Sequence, residues 1–444
     1  MATPTVSSEQ ITPAKQVPAE VSPRRIGFRF VVVYFGLYCL FTQILTSLIP
    51  IQNIPWMPPD LGRVPPFRWL VLWTAKHVFR AATAPNYADT GSGDTLFDWV
   101  VLCCLLVIAA IGTAVWTMLD RRSSGHDQTA KWFRVAIRIC LAGQMITYGS
   151  AKAIPLQMPF PNLYRLLEPF GNLSPMGVLW ASIGASPAYQ TFAGCAELLG
   201  GILLIFPRTT TLGALICLAD MSEVFMLNMT YDVPVKLFSF HLILLSMVLL
   251  APDFARLVQF FFGQGVTGAP RNWDLFSTRR ANRLAFAGQV LIGVWLIGAN
   301  LYGAVSGWHQ YGGGSPKSEL YGIWDIDQLF IDGKSREPLA TDNERWRRAI
   351  FDSPERMAFQ QMDDSLARFN AQIRAKDQTL TLTKNDDKNW NAHFTYNRGP
   401  GGHLEVDGNM DGHPIHMALH LKDRNQFTVV NRGFHWISEV PFNR

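Results

Sequence analysis

Residues 96–119, LFDWVVLCCLLVIAAIGTAVWTML, carry one charged side chain in 24. A hydrocarbon core about 30 Å thick is crossed by a helix of roughly 20 apolar residues. This stretch therefore predicts a transmembrane helix. Similar runs at residues 26–49, 132–153, 190–206, 209–229, 236–251 and 284–305 bring the predicted crossings to about seven. Only 16% of the 444 residues are charged, against about 25% in a soluble domain. The net charge of +5 gathers at the edges of apolar runs, which suits membrane orientation rather than nucleic-acid binding. All six cysteines lie inside apolar segments without CxxC or zinc spacing and read as packing residues.

Residues 1–25 are rich in Pro, Ser, Thr and Val, end in Arg24 and Arg25, and read as a disordered tail. Residues 26–130 hold two crossings joined by a proline-rich loop. Its segment FRWLVLWTAKHVF (67–79) suits an interfacial helix or a short buried one. Residues 131–255 hold four crossings, and residues 256–307 a basic loop with the seventh. Arg24 and Arg25, then Arg121, Arg122 and Lys131, then Arg208, then the group from Arg271 to Arg283, fall on alternate loops. The excess of basic residues on cytoplasmic loops places the amino terminus inside and the carboxy-terminal segment outside.

Within residues 191–241, apolar enough for more than two crossings, sit Glu197, Asp220, Glu223, Asn228 and His241. An ionisable side chain at the bilayer centre costs roughly 2.5–3.5 kcal/mol on insertion scales, so these groups call for a shared polar interior. At ~1.5 Å rise per residue, Glu197, Glu223 and His241 come out about 10 Å beneath the outer boundary on three successive helices. Tyr148 is slightly shallower, Asp220 lies near the midplane, and Lys152, Asn228, Asp232 and Lys236 ring the mouth. Carboxylates and an imidazole at one depth can exchange protons with a redox carrier such as a quinone. Glu197, Glu223 and His241 are the candidate catalytic groups. Tyr148, Lys152, Asp220 and Asn228 are the candidate cofactor-binding groups. A network of interhelical hydrogen bonds and ion pairs would satisfy the same residues, and no Glu-x-x-His pair suggests a metal.

Beyond Gly307 the apolar runs give way to alternating ones. In TLTLT (379–383), NAHFTYN (391–397) and IHMALHL (415–421) the period of two predicts half-buried strands. Residues 308–444 thus read as a separate all-β domain, a closed barrel or sandwich. His416 and His420 share the polar face of one strand, opposite Ile415, Met417, Leu419 and Leu421. Gly322, Ile323 and Trp324, opening the first strand, resemble the GxW signature of lipocalin-like barrels, with Arg432 in NRGFHWI available to pack on a tryptophan. The resemblance implies an apolar ligand inside the barrel; a filled core fits the same residues.

RICLAGQMITYGSAK (138–152), AGCAELLGGILLIFPRTTTLGAL (193–215) and the polar helices that follow resemble the DoxX-like family of four-helix membrane proteins. Glu197, Gly200, Gly201 and Arg208 match its Glu, small residues and Arg turn. The resemblance implies a bacterial inner-membrane bundle linked to quinone or thiol redox chemistry, with the bilayer, a quinone or apolar lipid, and a redox protein as partners. This chain adds three crossings and a β domain to that unit, and it lacks CxxCH, HExxH and a Gly-rich dinucleotide loop. A different reading is a non-catalytic anchor whose outer barrel binds a lipid or a protein.

Overall fold

A computed structural model of the chain describes residues 22–49, 60–120, 127–263, 273–387 and 389–443. Most of the predicted disordered tail, Arg121, Arg122, Arg271 and parts of two predicted loops lie outside the described residues. The helices are α1 (Pro23–Phe41), α2 (Gln43–Thr46), α3 (Phe67–His77), α4 (Leu96–Leu119), α5 (Asp127–Ala153), α6 (Leu163–Leu167), α7 (Pro175–Gly184), α8 (Pro187–Ile205), α9 (Thr210–Thr230), α10 (Lys236–Leu250), α11 (Phe254–Phe262), α12 (Arg279–Gln310) and α13 (Thr428–Asn431). Among the described residues five helices are long and apolar enough to cross a membrane: α4, α8, α9, α10 continued into α11, and α12. The sequence reading of about seven crossings also counted α1 and α5. Buried charges interrupt these two, Arg29 in the first and Arg134, Arg138 and Lys152 in the second.

The predicted first crossing over residues 26–49 is shorter than expected. α1 stops at Phe41, Thr42 is extended, and its Oγ1 donates to the Tyr38 carbonyl at 2.6 Å. α4 is held open to its first turn by a capping box, in which Thr95 Oγ1 accepts from the Asp98 amide and Asp98 accepts from the Thr95 amide. The single charge of that apolar run is therefore spent on its cap. Arg29 and Asp120 pair at 3.2 Å where α1 begins and α4 ends, so the two helices run antiparallel.

Small residues set the closest contacts in the bundle. A Cβ on Gly194 of α8 would lie 2.2 Å from the Ala153 amide nitrogen of α5, and one on Gly149 of α5 would lie 2.7 Å from the Leu198 nitrogen. The backbones touch, as in small-residue interfaces of membrane helices. Gly200 faces Cys217 across the α8–α9 contact. The outward faces are apolar: Val107, Ile111 and Leu119 of α4, and Leu284, Leu291 and Val294 of α12, are all exposed. Apolar surface on that scale needs a covering medium.

The β domain contains β1 (Gly322–Ile331), β2 (Lys334–Ser335), β3 (Trp346–Ser353), β4 (Arg356–Gln361), β5 (Leu366–Arg374), β6 (Thr379–Thr383), β7 (Asn391–Arg398), β8 (His403–Met410) and β9 (His413–Leu421). All neighbours are antiparallel. β1 pairs with both β3 and β9, which closes an eight-stranded barrel, while β2 forms only a short hairpin on β1. The alternation read from the sequence holds: Leu380 and Leu382 point inward, as do Ile415, Met417 and Leu419. Trp324, Phe351, Phe359, Trp390 and Phe394 join them in a continuous apolar interior. Trp324 is fully buried and donates Nε1–H to the Leu320 carbonyl at 2.8 Å. Gly322 before it is required, because its φ is +152° and a Cβ would meet Leu421 Cδ1 at 2.5 Å. The cation over Trp324 is Arg398, 5.7 Å from the ring centroid; Arg432 instead lies over Phe442.

The barrel rests on the connection between α5 and α8. Asp352 Oδ1 accepts from the Leu163 amide at the start of α6, at 2.9 Å. Leu163, Ile323 and Ile350 form a small core there, with Tyr164, Leu166 and Phe427 packed around it. This contact defines a barrel end of the bundle, to which α5 and α12 lead.

Candidate functional site

A cavity of about 320 Å³ opens where α1 falls short of α4. Tyr38, Phe41, Thr42 and Gln43 form one wall, and Phe97, Asp98 and Val101 of α4 another. Tyr148 of α5 and Leu237, Phe238 and His241 of α10 complete it, while Asp60, Arg63 and residues 91–93 line the rim.

His241 is fixed from three sides. Its Nδ1 lies 2.7 Å from the Leu237 carbonyl, which can only accept, so Nδ1 carries the proton. Nε2 is then the acceptor for the Tyr34 hydroxyl at 2.7 Å. The Tyr38 ring stacks on the imidazole at 3.9 Å between centroids and 9° between planes. Both ring nitrogens are thus occupied within the protein. Two phenols remain for a ligand, beside the polar lining of Gln43, Asp89 and Asp98. The Tyr148 hydroxyl accepts from Gln43 Nε2 at 3.1 Å, which leaves its own proton available. Tyr38 is 6% exposed, and its hydroxyl has no hydrogen bond among the described residues.

The rim is held by ion pairs. Arg63 Nε donates to Asp60 at 2.7 Å, its Nη1 donates to the Tyr87 and Ala88 carbonyls, and its Nη2 lies 3.4 Å from Asp98. Burial pushes the Asp60 carboxyl above the ordinary range, against the opposing pull of Arg63. Asp94 accepts from both the Lys236 and Leu237 amides, at 2.8 and 2.9 Å, and so caps the first turn of α10. This seats His241 one turn further in.

The residues singled out in the sequence divide into four groups. His241 and Tyr148 line the cavity. Glu197 and Lys152 do not: they form a buried ion pair of 2.5 Å between α8 and α5, with Asp220 of α9 in electrostatic reach of both. Glu223 is exposed and accepts from the Tyr189 hydroxyl at 3.3 Å. Asn228 donates to Ser239 Oγ at 3.0 Å and ties α9 to α10. Glu197, Glu223 and His241 therefore do not surround one space, although they sit on the helices expected. Depth estimated from residue counts fixes height, but the direction around each helix decides what a side chain meets. Tyr34, Tyr38 and the Arg63 rim were not among the sequence candidates. The Tyr34–Tyr38 spacing of one helical turn was the signal that could have found them.

Among the described residues no group of three or more His, Cys, Asp or Glu side chains is placed to hold a metal ion. No family model matches the chain, and no solved structure matches it. It is similar to a Bacillus subtilis (strain 168) protein described as uncharacterized protein YwoB. The two are 27% identical over 153 residues, which cover 32% of this chain and 92% of that protein.

Proposed function

We propose that the chain is a DoxX-like bacterial inner-membrane protein, with α1 and α5 completing seven crossings and the barrel on the extracytoplasmic side, whose cavity binds a quinone-type ring. Basic residues support the orientation: Arg24, Arg25, Arg208, Arg279, Arg280 and Arg283 all stand at or near helix ends opposite the barrel. The observation that carries the binding reading is the cavity under Tyr38. Its volume lies at the lower end of the roughly 300–1,000 Å³ of small-molecule sites, with aromatic walls at one side and polar groups, Asp60, Arg63, Asp89 and Asp98 among them, at the other. A quinone ring fits Phe41, Phe97 and Phe238 by stacking, and its carbonyls fit the hydroxyls of Tyr38 and Tyr148. His241 orders both neighbouring tyrosines rather than touching the ligand. A bound quinone would supply electron transfer, and a redox protein partner would exchange the electrons.

The test is lipid extraction from protein purified in mild detergent. Quinone should co-purify with the wild type, and Tyr38→Phe should lower its occupancy several-fold. Absence of quinone, with reduction kinetics unchanged in Tyr38→Phe and Tyr148→Phe, refutes the reading. The anchor reading finds support in a different place. Apolar side chains pack through the barrel interior, and in this reading the ligand or partner of that domain binds outside. The exposed Phe434, Trp436, Ile437 and Val440 after α13 offer an apolar surface for it.

A further inference from the structure

The Lys152–Glu197 pair, which does not line the cavity, belongs to a cluster with Asp220 and Glu223 that holds more negative than positive charge. The contact between Gly200 and Cys217 sets the antiparallel register of α8 and α9, and one turn toward the barrel end that register brings Asp220 opposite Glu197. Lys152 Nζ lies 2.5 Å from Glu197 Oε1. The second oxygen, Glu197 Oε2, is buried with no hydrogen-bond partner among the described residues, and so is Asp220 Oδ2. Glu197 itself is 3% exposed. Two orphaned carboxylate oxygens from facing helices thus stand in apolar surroundings beside one ammonium group.

The groups facing this point can be named from each helix. α5 supplies Lys152 and, one turn earlier, Tyr148, whose ring centroid is 5.9 Å from Nζ. α8 supplies Glu197, and Tyr189 nearer its start. α9 supplies Cys217, Asp220 and Glu223. With Glu197 and Asp220 both ionised beside Lys152 the cluster would carry one uncompensated negative charge, to whose repulsion the exposed Glu223 adds. Protonation of one of the two carboxyls relieves this.

We propose that Glu197 and Asp220 form an intramembrane proton-binding site, with Lys152 holding Glu197 as the ionised partner and Asp220 taking the proton. Glu223, one turn nearer the barrel end of α9 and bonded to Tyr189 at the start of α8, gives the proton its way in and out on that side. No bond other than O–H forms or breaks, so the step needs no co-reactant. This inference does not rest on the cavity or on any quinone.

The test is pH-difference infrared spectroscopy of the full chain in detergent. A carbonyl stretch from a protonated carboxyl is expected in the wild type, lost in Asp220→Asn and shifted in Glu197→Gln. Asp232→Asn, at an exposed turn, should leave it unchanged. The absence of such a band in the wild type would overturn the proposal without any variant having to fold. So would a band that survives both substitutions. Disappearance of the band when sodium is added at fixed pH would overturn it as well, by making this a metal-cation site.

Discussion

In the barrel, Trp324, Phe351 and Phe359 fill the interior, while His416 and His420 on β9 look outward toward Asp407 and Asp327. In the bundle, Arg29, Lys152 and Glu197 are buried, while Phe192, Leu119 and Leu284 stand on the outside. The packing rules within the two parts are the same. What differs is the surrounding medium, which accepts polar groups around the barrel and apolar ones around the helices. An ion pair should therefore matter differently in the two places, and that difference is measurable.

The largest expected effect compares two pairs. Replacing Glu197 by Ala leaves Lys152 buried without its carboxylate, and breaking a buried pair from one side costs about 3–5 kcal/mol. Arg347 and Asp364 pair at 3.2 Å on the barrel with both side chains well exposed, and Arg347→Ala should cost within about 1 kcal/mol. Thermal unfolding in detergent, followed by helical and by strand signals separately, reads both. Equal losses would remove the distinction between the two media.

Close approach should act alike in both regions. A Cβ on Gly194 would meet the Ala153 nitrogen at 2.2 Å, and one on Gly408 of β8 would meet the His393 carbonyl oxygen at 2.1 Å. Neither backbone neighbour can swing aside, so Gly194→Ala and Gly408→Ala should each destabilise by about 1–3 kcal/mol. Gly288 of α12 has open space around it. Gly288→Ala should raise stability by roughly 0.5–1 kcal/mol through helix propensity alone. The same melting experiment decides, and a neutral Gly194→Ala would mean that α5 and α8 separate more easily than their contact suggests.

These contrasts also mark what the sequence reveals. The run at residues 96–119 and the alternation in IHMALHL each specify an element, because burial on one side or on all sides leaves a period in the apolar residues. The division of the polar residues is less visible. Glu197 shares its helix face with Gly194 and Gly201, which pack on α5, so it is drawn inward to Lys152. On α9 the packed stripe runs through Gly213, Cys217 and Met221, and Glu223 lies off that stripe. The sequence holds this stripe, but apolar lipid-facing residues beside it hide its edge. The cavity was harder still, since it follows from α1 ending at Phe41 inside a run that continues to residue 49.

The joint between the two regions should yield at lower cost. Asp352→Ala removes the acceptor for the Leu163 amide, a single hydrogen bond worth about 0.5–1.5 kcal/mol. The barrel and bundle should each melt as before, while spin labels on either side of the α6 contact should show a broader distance distribution. An unchanged distribution would mean that the apolar contacts of Leu163, Ile323 and Ile350 hold the joint without Asp352.

The smallest effect lies on the barrel surface. His413 Nδ1 sits 2.9 Å from Asp332 Oδ2, and the hydrogen bond to that carboxylate, then its charge, raise the imidazole above its ordinary value of 6.5. Because the folded value exceeds the unfolded one, the protonated form favours folding. The contribution is complete below the unfolded value and fades as pH rises through the folded one. Both groups are exposed, so salt should weaken the pair. Histidine-selective NMR should show His413 titrating above 6.5, returning toward that value in Asp332→Asn and at high salt. A midpoint that ignores both changes would separate His413 from Asp332 and leave that imidazole a solvated group.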